Sequence, residues 1–592
     1  MKKILFMSLA VVLALSVSLI GCGGGGEELP SIYIGSGELD GDGIPVDFFT
    51  DIDVRKGFCY AFDYDTYIAD ALQGQGERRG SPVVEGLYGY DPDTPMYSYC
   101  LTKAEEHLMA AWDGELWDKG CKFTLLYNAG NLPRKTACEI LQENLYNINP
   151  LFQVSIAPLA WPTMLGKMYG TRDMPMFQIG WLPDYPHADN FIVPFMHSQG
   201  TFSEWQGYGY PALDAQIAAA FQDTNPETQQ EKYDALQQQY YDDAPGIVLA
   251  QPIARRYFTE HIDGFYYNPV ESSYAGRVLD LSKSDQGEPI PYKNDGTFVF
   301  ETIGDIDSLD PAWIYDTSSA MQVGMIYEQL LYYSGNSTDT FQPLLATDWA
   351  FNETDLTYRF TIREDVQFHN GNNLTPEDVE YTFERAMCQD RPGGPIWMFY
   401  QPLLGEAVWG YEDTTFAAID AAVQVDPVTD EVVFTLSGAY WELPFLQILS
   451  GQWASIVDME WCIAQDDWDG TESDVARVLH PENAGDTVLF DLTNGTGPWK
   501  LNTWTPGIQL ILDKNTNYWD GSVPFDSVIT KVVDEWTSRK LSLLAGDADL
   551  VYVPATNFDE MDEEPGLTVY KDLPSLSVDA FFFNMIIGGP PS

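Results

Sequence analysis

Basic residues are scarce in this sequence. It has 30 Lys+Arg against 89 Asp+Glu, a formal net charge of −59 over 592 residues. Holding a phosphate backbone needs a basic face, and too few cations are present to build a large one, so nucleic acid is excluded as a partner. Cysteine is sparse, with 7 in the chain, and no two form a CxxC pair. A thiolate zinc site is therefore poorly supported. The GxSxG, HExxH and GxxxxGK[ST] signatures are missing, which removes the common motif-bearing enzyme classes. Beyond the N-terminus no run of about 18 apolar residues occurs, so no later segment reads as a membrane span.

Apolar and aromatic residues are plentiful. Hydrophobic residues make up 45% and aromatics 14%. That is enough to fill a large core, and it excludes a disordered chain. Length alone suggests several compact units, since domains run ~100–200 residues. The surplus of acid reads as a solvated surface suited to salty surroundings; a preference for cationic ligands is the other reading.

Met1-Lys2-Lys3 followed by an apolar run over residues 4–20 has the charged and apolar regions of an export signal. The run ends in Leu19-Ile20-Gly21-Cys22, which resembles the lipobox of bacterial lipoproteins. The resemblance implies a signal peptide over 1–22, acylation of Cys22 and a flexible Gly-rich tether over 23–30. It places the protein outside the cytoplasm, anchored by lipid to the outer face of the cytoplasmic membrane. There, Cys59, Cys100, Cys121, Cys138, Cys388 and Cys462 are permitted disulfides. Cys388 with Cys462 is the first pairing to consider, and buried free thiols are the alternative.

Strand and helix patterns alternate along the chain. Residues 122–128 (KFTLLYN), 134–146 and 152–156 read as strand, helix and strand, the unit of a parallel sheet. Helices are expected at 213–221, 231–241, 320–332 and 538–544, and strands at 247–250, 357–362, 431–436 and 509–512. Thr375-Pro376-Glu377-Asp378 is a helix start, with Thr as N-cap, Pro at the first position and acids in the first turn. Such alternation argues an α/β fold. The hydrophilic stretch 282–295 (SKSDQGEPIPYKND) reads as a linker.

Residues 343–387 (PLLATDWAFNETDLTYRFTIREDVQFHNGNNLTPEDVEYTFERAM) closely resemble the signature region of the extracellular solute-binding proteins of the oligopeptide, dipeptide and nickel class, family 5. Ser308-Leu309-Asp310-Pro311, Tyr327-Glu328, 494–499 (NGTGPW), 515–519 (NTNYW), 539–549 (RKLSLLAGDAD) and Phe583-Asn584 resemble further family motifs. The helix that follows in that family is found at the other end, at 53–67 (DVRKGFCYAFDYDTY), with 180–185 (GWLPDY), Asp189-Asn190-Phe191 and 243–248 (DAPGIV) after it. The resemblance thus implies a circular permutant of a two-lobed α/β periplasmic-binding-protein-like fold of the class with an extra subdomain. It assigns 31–250 to the second lobe, 251–281 to the return to the first lobe and 282–295 to the linker. It assigns 296–340 to the first lobe, 341–475 to the extra subdomain, 476–570 again to the first lobe and 571–592 to a strand crossing into the second.

The resemblance implies a binding protein and no enzyme, with no cofactor or metal. It implies a monomer that delivers a solute, most simply a peptide, to the permease and ATPase subunits of an ABC importer. A nickel complex, an oligosaccharide, a solute-sensing role and a glycosidase-like carboxyl pair are the alternatives. Asp184 takes the family position that receives a ligand's amino terminus, and Trp181 and Tyr185 flank it. Trp397 and Tyr400 fall in a segment expected to line the facing lobe, as do residues 310–317, where Asp310 reads as fixing the turn before Pro311. Gln178 lies where some members place a cation for the ligand's carboxylate. His187 and His197 read as core or solvated residues, and Asp40-Gly41-Asp42-Gly43 as a turn.

Overall fold

The structure, a computed structural model, describes residues 31–589 except 272 and 288. Residues 1–30, and with them the signal, Cys22 and the tether, lie outside the described residues.

The 122–128 run forms the strand Cys121–Asn128, followed by the helix Leu132–Ile148 and the strand Phe152–Leu159, which pairs parallel to the first. The helix begins where Asn131 turns its side chain to accept from the Arg134 amide, with Pro133 in the first turn. Thr375 and Asp378 form the expected capping box on the helix Pro376–Gln389.

A sheet of twelve strands runs through the molecule. One part holds Trp499–Thr505, Gln509–Lys514, Ser527–Val532, Thr297–Thr302 and Leu550–Val551; the other holds Val578–Phe583, Met176–Trp181, Cys121–Asn128 and Phe152–Leu159. Between them lies Gly246–Thr259, a single strand of 14 residues. Its first half pairs with Val578–Phe583 and its second with Leu567–Pro574, so two neighbouring segments join the parts. A separate four-stranded antiparallel sheet, Ala346–Asn352, Thr357–Ile362, Glu431–Thr435 and Val423–Val425, stands with the helix Pro376–Gln389.

The end of the strand Val578–Phe583 and the segment after it pack on residues 46–49. Phe583 stacks on Phe49 at 5.0 Å between ring centres, and the Ile587 amide donates to the Val46 carbonyl at 2.8 Å.

Some expectations need correcting. The helix expected over 320–332 stops at Ile326, and Leu331–Tyr333 is a strand. The cause lies in Glu328, whose buried carboxylate accepts from Thr496 Oγ1 at 2.8 Å, Tyr518 Oη at 2.7 Å and Trp519 Nε1 at 2.8 Å. Three of the sequence motifs meet on that one side chain, and their bonds draw the backbone out of the helix. The expected linker begins with Ser282–Lys283 paired to Ile262–Asp263. Trp499–Thr505 is a further strand, for which the sequence pattern gave no expectation. Cys388 and Cys462 form no disulfide, and all six described cysteines are free thiols. Five of the six are buried, and burial pushes the thiols of Cys59 and Cys121 up to about 12, away from the reactive thiolate.

Asp310 does fix its turn, accepting from the Ala312 amide at 3.0 Å. It also has a larger task. Arg385 Nη1 and Nη2 reach its two oxygens at 3.0 and 2.8 Å, while Arg385 Nε reaches Asp467 Oδ2 at 2.7 Å. All three side chains are 2% exposed or less.

Candidate functional site

Two cavities open between the parts of the molecule, of about 410 and 140 Å³. They share Arg134, Trp161, Trp181 and Glu271 in their walls, so they are compartments of one space. That space lies at the carboxyl ends of the parallel strands: Asn128 ends one, Trp161 follows the next, and Trp181 ends the third. Crevices outside strand carboxyl ends are the usual ligand positions of open α/β sheets.

Asp184 lines the smaller compartment. Asn190 holds it twice, accepting from its backbone amide at 2.7 Å and donating to its Oδ2 at 3.0 Å. Tyr315 Oη, from the opposite wall, donates to the same Oδ2 at 2.9 Å. Oδ1 takes no hydrogen bond from the described residues. Burial pushes this carboxyl up to about 7, against the pull of Asn190 and Tyr315 in the other direction. A carboxyl so placed gains most when a cation arrives.

Trp181 is buried, donates Nε1 to the Asn190 carbonyl at 2.7 Å and meets the Tyr315 ring edge to face. It lines both compartments. Tyr185, Trp397 and Tyr400 line neither compartment. Tyr185 is fully buried and donates to Asp189 Oδ2 at 3.0 Å. Tyr400 is fully buried and bonds the Met387 carbonyl. Both are core packing, because their hydroxyls find partners inside the fold. Trp397 acts at one remove: its Nε1 donates to Tyr315 Oη at 3.0 Å and so aims that hydroxyl at Asp184. Of residues 310–317, Ile314, Tyr315, Asp316 and Thr317 line the smaller compartment.

Gln178 is 0% exposed and absent from both cavity walls. The cation common to both walls is Arg134. It lines both compartments, donates Nη1 to Asn128 Oδ1 at 2.7 Å and forms no ion pair within bonding distance among the described residues. Asp579 lies close by; a side chain at Gly180 would come within 2.8 Å of Asp579 Oδ1 and 3.6 Å of Arg134 Nη2. Arg134 could have been singled out as the basic residue in the first turn of a helix that follows a parallel strand.

His187 is packed against Tyr88, Phe221 and Tyr233, and His197 stacks on Trp409. Burial lowers each to about 4, so both are neutral packing residues. Asp40 closes its own turn, accepting from Ser36 and from the Asp42 amide at 2.9 Å each.

The model of the bacterial extracellular solute-binding proteins, family 5 Middle, matches residues 39–203 and 340–590, well over half of the chain. The probable D,D-dipeptide-binding periplasmic protein DdpA of Escherichia coli (strain K12) is 28% identical over 293 residues, covering 48% of this chain and 49% of that protein. Heme-binding protein A of Haemophilus influenzae is 24% identical over 300 residues, covering 49% and 50%. The chain spans about half the length of the curated relatives it matches. Among solved structures, the periplasmic binding protein DppA of Helicobacter pylori in complex with the peptide STSA aligns with a TM-score of 0.36 at 23% identity, covering 45% of this chain and 49% of that one.

Proposed function

Because the chain belongs to the bacterial extracellular solute-binding proteins, family 5, a family of binding proteins and not of catalysts, we propose that it captures a peptide-like solute in the space between its lobes and delivers it to an ABC importer. The observation that carries this reading is the polarity of the space. The smaller compartment alone holds Asp184, with a free oxygen; Arg134 lines both compartments, and the larger adds Arg255 and Arg256 beside the acids Glu271 and Asp579. Arg255 is already paired with Asp562, and Arg256 stacks on Tyr274 at 3.9 Å. Arg134 is left to meet a carboxylate while Asp184 meets an ammonium. A zwitterion with separated ends fits that arrangement; a neutral sugar leaves both charges unmatched. The names of several relatives include peptide or dipeptide binding, which supports the class. A purified sample screened by thermal shift and native mass spectrometry tests it. Short peptides should raise the melting temperature by linkage. Peptides that leave it unmoved, while sugars or metal complexes raise it, would reject the reading.

The order of the chain is part of the same proposal. We read residues 31–281 as the usual second half of the family and 296–592 as the first, joined through 282–295. Two observations support it. Single alignments to relatives stop at about half of either chain, as a rotated order requires. The Phe583 and Ile587 contacts with Phe49 and Val46 also set the end of the crossing strand beside the helix Ile52–Ala61, where an unrotated chain would continue. A variant with 589 joined to 31 by a short Gly/Ser linker and opened between 284 and 293 should fold and bind the same ligands within about threefold. Failure to fold, with the linker length varied, would count against the rotated order. Cys22 as lipid anchor completes the proposal; loss of labelled palmitate in Cys22→Ser is its test.

A further inference from the structure

The charges in the smaller compartment do not balance once a zwitterion is seated. Asp184, Glu271 and Asp316 all line it, and Arg134 is the one guanidinium in its wall among the described residues. Asp184 and Arg134 are matched by the ligand's own ends. Two carboxylates are left over.

Both of these have an oxygen without a partner. Glu271 Oε1 accepts from Tyr332 Oη, while its Oε2 is buried and unbonded. Asp316 Oδ1 accepts from Trp161 Nε1 at 3.2 Å and from the Ser318 and Ser319 amides at 3.0 Å each, capping the helix Thr317–Ile326. Its Oδ2 is buried and unbonded. Two guanidiniums stand behind the wall, near enough to be felt by these acids but not bonded to them. Arg277 lies over the Tyr332 ring at 5.3 Å and bonds Asp280; Arg391 donates to the Trp313 carbonyl and lies over the Trp313 and Tyr169 rings. Neither donates to a carboxylate of the cavity. Burial pushes Glu271 up to about 7 against the pull of Tyr332 and Arg277, and burial together with the like charge of Asp307 pushes Asp316 up to about 6. Around them the wall is aromatic, with Trp161, Tyr333 and Trp453. Such faces accept the methylene stem of a basic side chain and add cation–π attraction for its head.

We propose that the smaller compartment is a subsite for a second positive charge, and that the preferred ligands are short peptides carrying a lysine-like or arginine-like side chain. This rests on the peptide reading above but is separable from it. Glu271 and Asp316 each keep a carboxylate oxygen without a partner in that wall, to be paired by the incoming head in addition to the Asp184 contact with the amino terminus. A neutral side chain would leave two buried acids without a partner, and an acidic one would add a like charge.

The test is titration calorimetry of the full mature chain at pH 7.5 with Ala-Ala, Lys-Ala, Ala-Lys and Glu-Ala, and with free lysine and 1,5-diaminopentane. At least one of the lysine dipeptides should bind tenfold or more tighter than Ala-Ala, and Glu-Ala weakest. Glu271→Gln and Asp316→Asn keep the shape and the helix cap; either should cut the lysine preference to threefold or less while Ala-Ala binding changes less than twofold. Equal affinity of Ala-Ala and both lysine dipeptides overturns the subsite, as does a lysine preference unchanged in both variants. If no dipeptide binds but lysine or the diamine does, with loss in Glu271→Gln, the peptide reading falls and the cation subsite stands. If none of the six compounds binds, both fall.

Discussion

Arg385→Ala is expected to lower the free energy of unfolding by about 3–5 kcal/mol, because removing one member of a buried ion network leaves its partners charged and unpaired. Arg385 spans Asp310 on the loop before Pro311 and Asp467 beyond the helix Met459–Ala464. Each contact is 2.7 to 3.0 Å, and the three side chains have at most 2% exposure. Alanine strands two carboxylates in the core beside Trp468 and Tyr381. Guanidinium denaturation followed by tryptophan fluorescence measures the loss. Arg385→Lys should recover only part of it, since an ammonium cannot make the two-pronged contact with Asp310 and still reach Asp467. A loss below about 1 kcal/mol in the alanine variant would show that the network adds little to holding that loop.

The second large effect is on binding. Asp184→Ala should weaken peptides with a free amino terminus by about 100-fold or more, roughly 3 kcal/mol. The same peptides with an acetylated amino terminus should bind weakly to the unaltered protein and change little with the substitution. Asn190→Ala should give a smaller loss, about tenfold, because the carboxylate stays while its two restraints go. The pH dependence has a definite sign. The Asp184 carboxyl stands at about 7, above its ordinary 3.8. The stability tied to its neutral form is full below about 4 and is lost as pH rises through 7. A cationic ligand selects the ionised form, so affinity climbs over the same interval. At pH 5.5 it should be about 25-fold weaker than at pH 7.5. An amino terminus losing its own proton near 8 closes the profile on the alkaline side. Flat affinity between pH 5.5 and 7.5 would remove Asp184 from the site.

Much of the fold is legible in the chain itself. The strand–helix–strand unit at 121–159 shows in its apolar periodicity, and the helix Pro376–Gln389 in its cap. The helix that stops at Ile326 was not legible, because what stops it is Glu328 reaching Thr496, Tyr518 and Trp519 from far along the sequence. The site divides in the same way. Asp184 and Trp181 follow from a local motif and line the cavity. Tyr185 and Tyr400 are equally aromatic and equally near a motif, yet face the core, since an aromatic ring packs and stacks with the same chemistry. Arg134, Glu271 and Asp316 come together only through the tertiary fold.

The two joining segments also bear on how the cleft can move. Ile253 pairs with Pro574 and Ala254 with Leu573 on one side; Ala250 pairs with Asp579 on the other. Between them the ladder is interrupted, and Ser575 is held by the Gln251 side chain and by Ser577. Mechanically this is a two-ply strap with a crease. A strap folds across its width and resists shear and twist, so the relative motion of the two parts reduces to one soft coordinate. Ser575, Ser577 and residues 252–256 are also the floor of the larger compartment. A solute held as proposed would lie against the crease itself, so occupancy and opening angle would be read at a single place.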